Sequence, residues 1–155
     1  MPYLLGYLGI EDELADEIDF DAIRDAAKLV MTRAYAPYSN FPVGAAGITQ
    51  SGAVVVGCNV ENVSYGLGIC AEVSMVATGF SQGLFGDGER ASGERLVAVS
   101  VCDAEGTVLT PCGRCRQILL EVGGPDLLVD SAAGPRTLGS LLPDAFGPGH
   151  LESVR

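Results

Sequence analysis

Apolar residues at Phe20, Ile23, Ala27, Val30, Met31 and Ala34 recur with the 3.6-residue period of a helix, with Asp19 placed as its N-cap and Pro37 just beyond its end. The pattern predicts a helix over 20–35. Beyond it the period shortens: residues 43–49 and 53–58 are apolar runs on either side of Ser51-Gly52, a hairpin signal. Residues 59–69 are polar and contain glycines, so they read as a loop, and 70–82 reads again as a helix. Four glycines and three acids in 83–94 predict an exposed, mobile loop. A strand over 96–102, a turn at 104–106 and a short strand over 107–109 follow. Pro111 opens a helix over 112–122 that Gly123-Gly124-Pro125 stops. The last elements are a strand over 127–129 and a short helix over 138–142. Strands interleaved with helices, without internal repeats, predict an α/β sandwich around one sheet.

At 155 residues, 48% hydrophobic and 19% charged, the chain has apolar material for one substantial core. One domain is expected over 19–155, behind a loose or partly helical extension at 1–18. Nine basic residues against 20 acidic ones give a net charge of −11. A field of that sign repels phosphate backbones, which excludes nucleic acid as a partner and suits a small, roughly neutral substrate. The first ten residues are apolar but lack a basic start and run into Glu11-Asp12-Glu13, unlike a signal peptide. No apolar run approaches the ~20 residues of a membrane span, so a soluble, cytoplasmic protein is expected.

Cysteine usage sharpens the picture. Five cysteines, an odd number, include a pair three residues apart, which points to reduced thiols and metal ligation. Cys112 and Cys115, in Pro111-Cys112-Gly113-Arg114-Cys115, stand at i, i+3 on the first turn of a predicted helix. Cys70, in Cys70-Ala71-Glu72, opens another. Three thiolates leave one position of a tetrahedral Zn²⁺ open for water, as in a catalytic rather than a structural site. Helix N-termini favour thiolates through their free N–H groups and dipole. With Cys70 at the cap, Glu72 projects beside the open position, where a carboxylate can move protons. The two motifs are close to the zinc-deaminase signature His-x-Glu with Pro-Cys-x-x-Cys, in its three-cysteine form. Cys58 and Cys102 read as packing residues, and His150 as solvated in the tail.

These motifs, with Tyr35-Ala36-Pro37-Tyr38-Ser39-Asn40-Phe41-Pro42-Val43-Gly44-Ala45-Ala46, Gly57-Cys58-Asn59-Val60-Glu61-Asn62-Val63-Ser64-Tyr65-Gly66-Leu67 and Leu141-Leu142-Pro143-Asp144-Ala145-Phe146-Gly147-Pro148, resemble the homotetrameric cytidine deaminases over about residues 20–151. The resemblance implies a three-layer α/β/α sandwich around a mixed five-stranded sheet. It also implies zinc-dependent hydrolysis of cytidine and 2′-deoxycytidine, with Glu72 as the proton carrier and Zn²⁺ on Cys70, Cys112 and Cys115. By the same resemblance Asn59 and Glu61 hold the ribose 3′-hydroxyl and Phe41 packs on the pyrimidine. Phe146 enters from a neighbouring subunit, Tyr65 lies at a subunit contact near the site, and the Ala71 backbone reads the base edge. The family usually reads Cys-Ala-Glu-Arg; here the fourth residue is Val73, so offsetting the thiolate charge falls to Arg116 and the two helix N-termini. A related cytosine-nucleoside antibiotic or a free nucleobase is the alternative substrate.

Overall fold

The computed structural model describes residues 17–86 and 93–154. Nearly all of the expected extension, and the middle of the 83–94 segment, lie outside the described residues. Helix α1 (Phe20–Met31) precedes strands β1 (Gly44–Thr49) and β2 (Val54–Cys58), helix α2 (Ala71–Ser81), strand β3 (Leu96–Cys102) and helix α3 (Gly113–Gly123). Strands β4 (Leu128–Val129) and β5 (Arg136–Thr137) and the single-turn α4 (Leu138–Leu141) follow. The sheet is mixed, in the order β2-β1-β3-β4-β5: β3 and β4 run parallel and the other neighbours antiparallel.

Strand alternation divides the buried residues between two faces. Ala45, Val55, Val99, Val101 and Val129 meet Met75 and Val76 of α2 and Leu119 and Val122 of α3. Ala46, Ala98, Cys102 and Leu128 meet Phe20, Ile23 and Ala27 of α1 on the other face. The result is three layers, α1, sheet, and α2 with α3. Among the described residues no helix is long and apolar enough to cross a membrane. Gly57 sets the distance between the sheet and α2: a Cβ there would overlap the Met75 nitrogen and the Ala71 carbonyl. This close approach brings the first turn of α2 down onto β2.

Three expectations change. Helix α1 stops at Met31, not 35, because Thr32, Arg33 and Ala34 donate to carbonyls three residues back, and Tyr35 then pairs with the loop through Asn59 O and Glu61 N. Residues 107–109 are no full strand: they fold back along the end of β3, with Leu109 N–H on the Val101 carbonyl and a bridge between Cys102 and Val108. The Asp103 carboxylate tightens that turn by accepting from Glu105 and Thr107 N–H. The fifth strand is instead β5, two residues too short to show a period. Lastly, the 83–94 segment is anchored at both described ends. Phe85 is buried against Phe80 and Gly79, and Glu94 accepts from the Ser51 backbone and hydroxyl.

An ion pair between half-buried Arg24 and fully buried Asp130 locks α1 to the sheet. Asp130, 0% exposed, accepts from Arg24 Nε at 2.7 Å and a terminal guanidinium nitrogen at 2.8 Å, and from Ser100 Oγ at 2.7 Å. Such a pair contributes little net against an apolar replacement, but removing one partner strands a buried charge. Arg24→Met should therefore cost about 3 kcal/mol in a denaturant titration. Unchanged stability would show that Asp130 finds other compensation.

Candidate active site

The sheet ends and two helix starts converge on one point. Cys70 is the N-cap of α2 and Cys112 the N-cap of α3, and Cys115 lies in the first turn of α3. Their three sulfurs all lie within 4.8 Å of one another. Cys58 is half-buried at the end of β2 and Cys102 is buried in the α1-side core, and neither belongs to the cluster. Burial pushes the Cys70 and Cys115 thiols up, and the nearby Glu72 charge adds to both shifts. The backbone N–H of Cys115, helped by that of Arg114, draws the Cys112 thiol down. Burial opposes ionisation at Cys70 and Cys115 while backbone donors favour it at Cys112, and a bound cation would convert such a set to three thiolates. Tetrahedral Zn²⁺ with sulfurs at about 2.3 Å holds them roughly 3.8 Å apart. The cluster needs little adjustment to reach that spacing, so the donor set fits zinc.

Glu72, in the first turn of α2, is 5% exposed and faces the sulfurs. It lines a cavity of about 220 Å³ with Val43, Asn59, Ala71, Leu109 and the three clustered cysteines. A second cavity, about 460 Å³, is lined by Tyr38, Ser39, Glu61, Asn62 and Tyr65. Asn59 and Cys70 line both, so the two cavities adjoin, with the sulfur cluster at the inner end and Glu61 at the outer.

The outer end is built from a reciprocal clasp between two loops. Asn59 Oδ1 accepts from Val43 N–H at 2.8 Å and its Nδ2 donates to the Phe41 carbonyl at 3.0 Å, which leaves one amide hydrogen for a ligand. Glu61 Oε1 accepts from the Tyr38 and Ser39 N–H groups, and the second oxygen is free to accept from a hydroxyl. The Ser39 side chain and backbone, with the Tyr38 backbone N–H, hold the Glu61 carboxyl below the usual range. A carboxyl depressed in the fold contributes stability above its ordinary pKa and loses it as pH falls through the lower value. An NMR titration should accordingly find Glu61 still ionised where free glutamate is half protonated. Titration at the ordinary value would mean that the clasp is open in solution.

Comparison with known proteins identifies this arrangement. Residues 20–130 match the family described as the cytidine and deoxycytidylate deaminase zinc-binding region. The chain is 51% identical over 139 residues to a cytidine deaminase of Mycobacterium tuberculosis, covering 90% of this chain and 98% of that protein. The crystal structure of the M. tuberculosis cytidine deaminase superposes with a TM-score of 0.76, covering 84% of this chain and 98% of the other. That of the Mycobacterium leprae cytidine deaminase, 45% identical, superposes with a TM-score of 0.74 over 82% and 99%. The chain belongs to the cytidine and deoxycytidylate deaminase family. Its domain is a zinc-binding one, and the three-cysteine cluster fits that ion.

The remaining residues expected in a cytidine deaminase site divide between those the single chain brings together and those it does not. Ala71 is buried in the inner cavity wall, and Tyr65 is exposed at the outer cavity, edge-on to Tyr38 at 6.0 Å. Phe41 is half exposed and lines neither cavity, although its carbonyl is held by Asn59. Phe146 is 59% exposed and also lines neither. Arg116 donates through Nε to the Pro111 carbonyl and through a terminal nitrogen to the Leu141 carbonyl, both at 2.8 Å. It thereby ties the turn that carries Cys112 to α4. A second cation, Arg114, also bears on Cys70, its charge favouring the thiolate against the dominant effect of burial. Arg114 and Ser39 join the residues expected at the site. The lone cation between two clustered cysteines was a signal for the first, and only the folded clasp reveals the second.

Proposed function

We propose that the protein hydrolyses cytidine and 2′-deoxycytidine to uridine and 2′-deoxyuridine with release of ammonia. The observation that carries this reading is a nearly buried carboxylate, Glu72, beside three clustered sulfurs at the inner end of a cleft whose outer end offers Asn59 and Glu61. Cys70, Cys112 and Cys115 hold the zinc ion, which when bound supplies the Lewis acidity that makes water a nucleophile at neutral pH. Glu72 takes a proton from the attacking water and passes it to ring N3 as the new C4–O bond forms. It then carries the second proton from that oxygen to the amine, so that the C4–N bond breaks and ammonia leaves. Arg116 and the N-termini of α2 and α3 temper the negative charge around the ion.

The free Glu61 oxygen accepts a ribose hydroxyl and the spare Asn59 hydrogen donates to it. The Ala71 backbone reads the edge of the base, and Phe41 packs on its face. Tyr65 stands at a contact between subunits. A second copy of the chain supplies Phe146, in a cytoplasmic homotetramer whose sites are shared. Residues 19–155 form the catalytic unit.

Two measurements test this reading. Cytidine and free cytosine should differ sharply in kcat/KM, because cytosine leaves Glu61 and Asn59 without a partner. Equal turnover would remove the sugar from the recognition. In sedimentation the active species should have a mass near four times the 16.0 kDa chain. A fully active monomer would rule out shared sites.

A further inference from the structure

Phe146 is 59% exposed, yet the chain around it is held at three points. Asp144 takes φ 52°, the left-handed conformation that aspartate adopts more readily than most residues and that turns the chain just before the ring. Gln117 Nε2 of α3 donates to the Phe146 carbonyl at 2.8 Å. Gly147 N–H donates to His150 Nδ1 at 3.0 Å, and His150 N–H donates to the Gly147 carbonyl at 3.1 Å, closing a tight turn. The turn brings the imidazole over the Phe146 ring, with centroids 5.3 Å apart and planes 21° from parallel. An exposed phenylalanine without a packing partner moves among rotamers, and ordering it on ligand binding costs entropy. Here one face is covered by His150. Among the described residues no other aromatic ring stacks on Phe146, and its 59% exposure leaves ring surface for a flat heterocycle.

We propose that His150 is a positioning residue, whose imidazole fixes by stacking the pose in which Phe146 is presented to the base of a nucleoside in a neighbouring subunit's site. The inference rests on the reading of Phe146 given above and goes beyond it by assigning the residue that orders the ring. Stacking on the base is the same before and during the reaction, so its loss should raise KM and leave kcat nearly unchanged. The expected rise for His150→Ala is about three- to tenfold, the range an aromatic pair contributes. His150→Phe keeps a flat face and should restore KM. His150→Asn keeps an acceptor for Gly147 N–H but offers no ring, and should behave like alanine.

As the chain's only histidine, His150 gives one set of imidazole signals, which reads the stack without reference to activity. Those carbon-bound protons should carry a ring-current shift that Phe146→Leu abolishes. Absence of that shift would overturn the proposal directly. If the shift is present and Phe146→Ala raises KM while His150→Ala does not, the proposal fails and the role of Phe146 stands. If Phe146→Ala itself leaves KM unchanged, the role of Phe146 fails, and the positioning role falls with it. Rescue by asparagine rather than by phenylalanine would show that the turn, not the stack, sets the pose.

Discussion

Glu72→Gln should lower kcat by roughly 10²–10⁴-fold, the range of a general acid–base group, while zinc content stays at one per chain. The amide matches the carboxylate in shape, so the cleft should keep its form and substrate should still bind. It cannot accept the first proton, so the carrier between water, N3 and the leaving amine is lost. Burial strengthens the expectation. At 5% exposure Glu72 sits where bulk water has little access to take over proton transfer. Metal analysis of the same preparation separates loss of the base from loss of the ion. A variant within tenfold of the parent in kcat would assign the proton transfers to another group.

Cys112→Ala should lose most of its zinc and with it the activity. Perturbing a group that only orients a ligand costs 10–100-fold in metal affinity, so deleting a ligand should cost more than about 100-fold. Cys112 is the thiol that backbone N–H groups already draw toward the thiolate, which makes it the natural first ligand. Cys70 and Cys115 are pushed up by burial, so zinc binding must release their protons, and affinity should rise with pH. The side chain is exposed, so the variant should fold, as a thermal melt would verify. Full retention of zinc would place the ion elsewhere.

Much of the site was legible because it is built from local sequence relations. Cys112 and Cys115 at i, i+3 and Cys70 two residues before Glu72 define two helix starts, and both helices begin there, with Cys70 and Cys112 as caps. The hairpin at Ser51-Gly52 was legible for the same reason, since Gly52 takes φ 87°. What stayed hidden depends on distant partners. Arg24 and Asp130 are 106 residues apart, and nothing near either marks them as a pair. The early end of α1 reflects the pairing of Tyr35 with Asn59 and Glu61, a tertiary demand that overrides a continuing helical period. Phe85, within a glycine-rich stretch, is buried because Gly79 leaves room for its ring. The placement of Arg116 on two carbonyls could be read only from the folded chain. His150 reads in sequence as a tail residue, and only the turn at Gly147 shows what it touches.

The most direct test of the account is product analysis with zinc-loaded protein and cytidine. Uridine and ammonia should form in equal amounts, the reaction should stop when a chelator removes the metal, and one zinc per chain should restore it. Zinc-loaded, folded protein that leaves cytidine unchanged, or turnover that persists undiminished in metal-free protein, would contradict it.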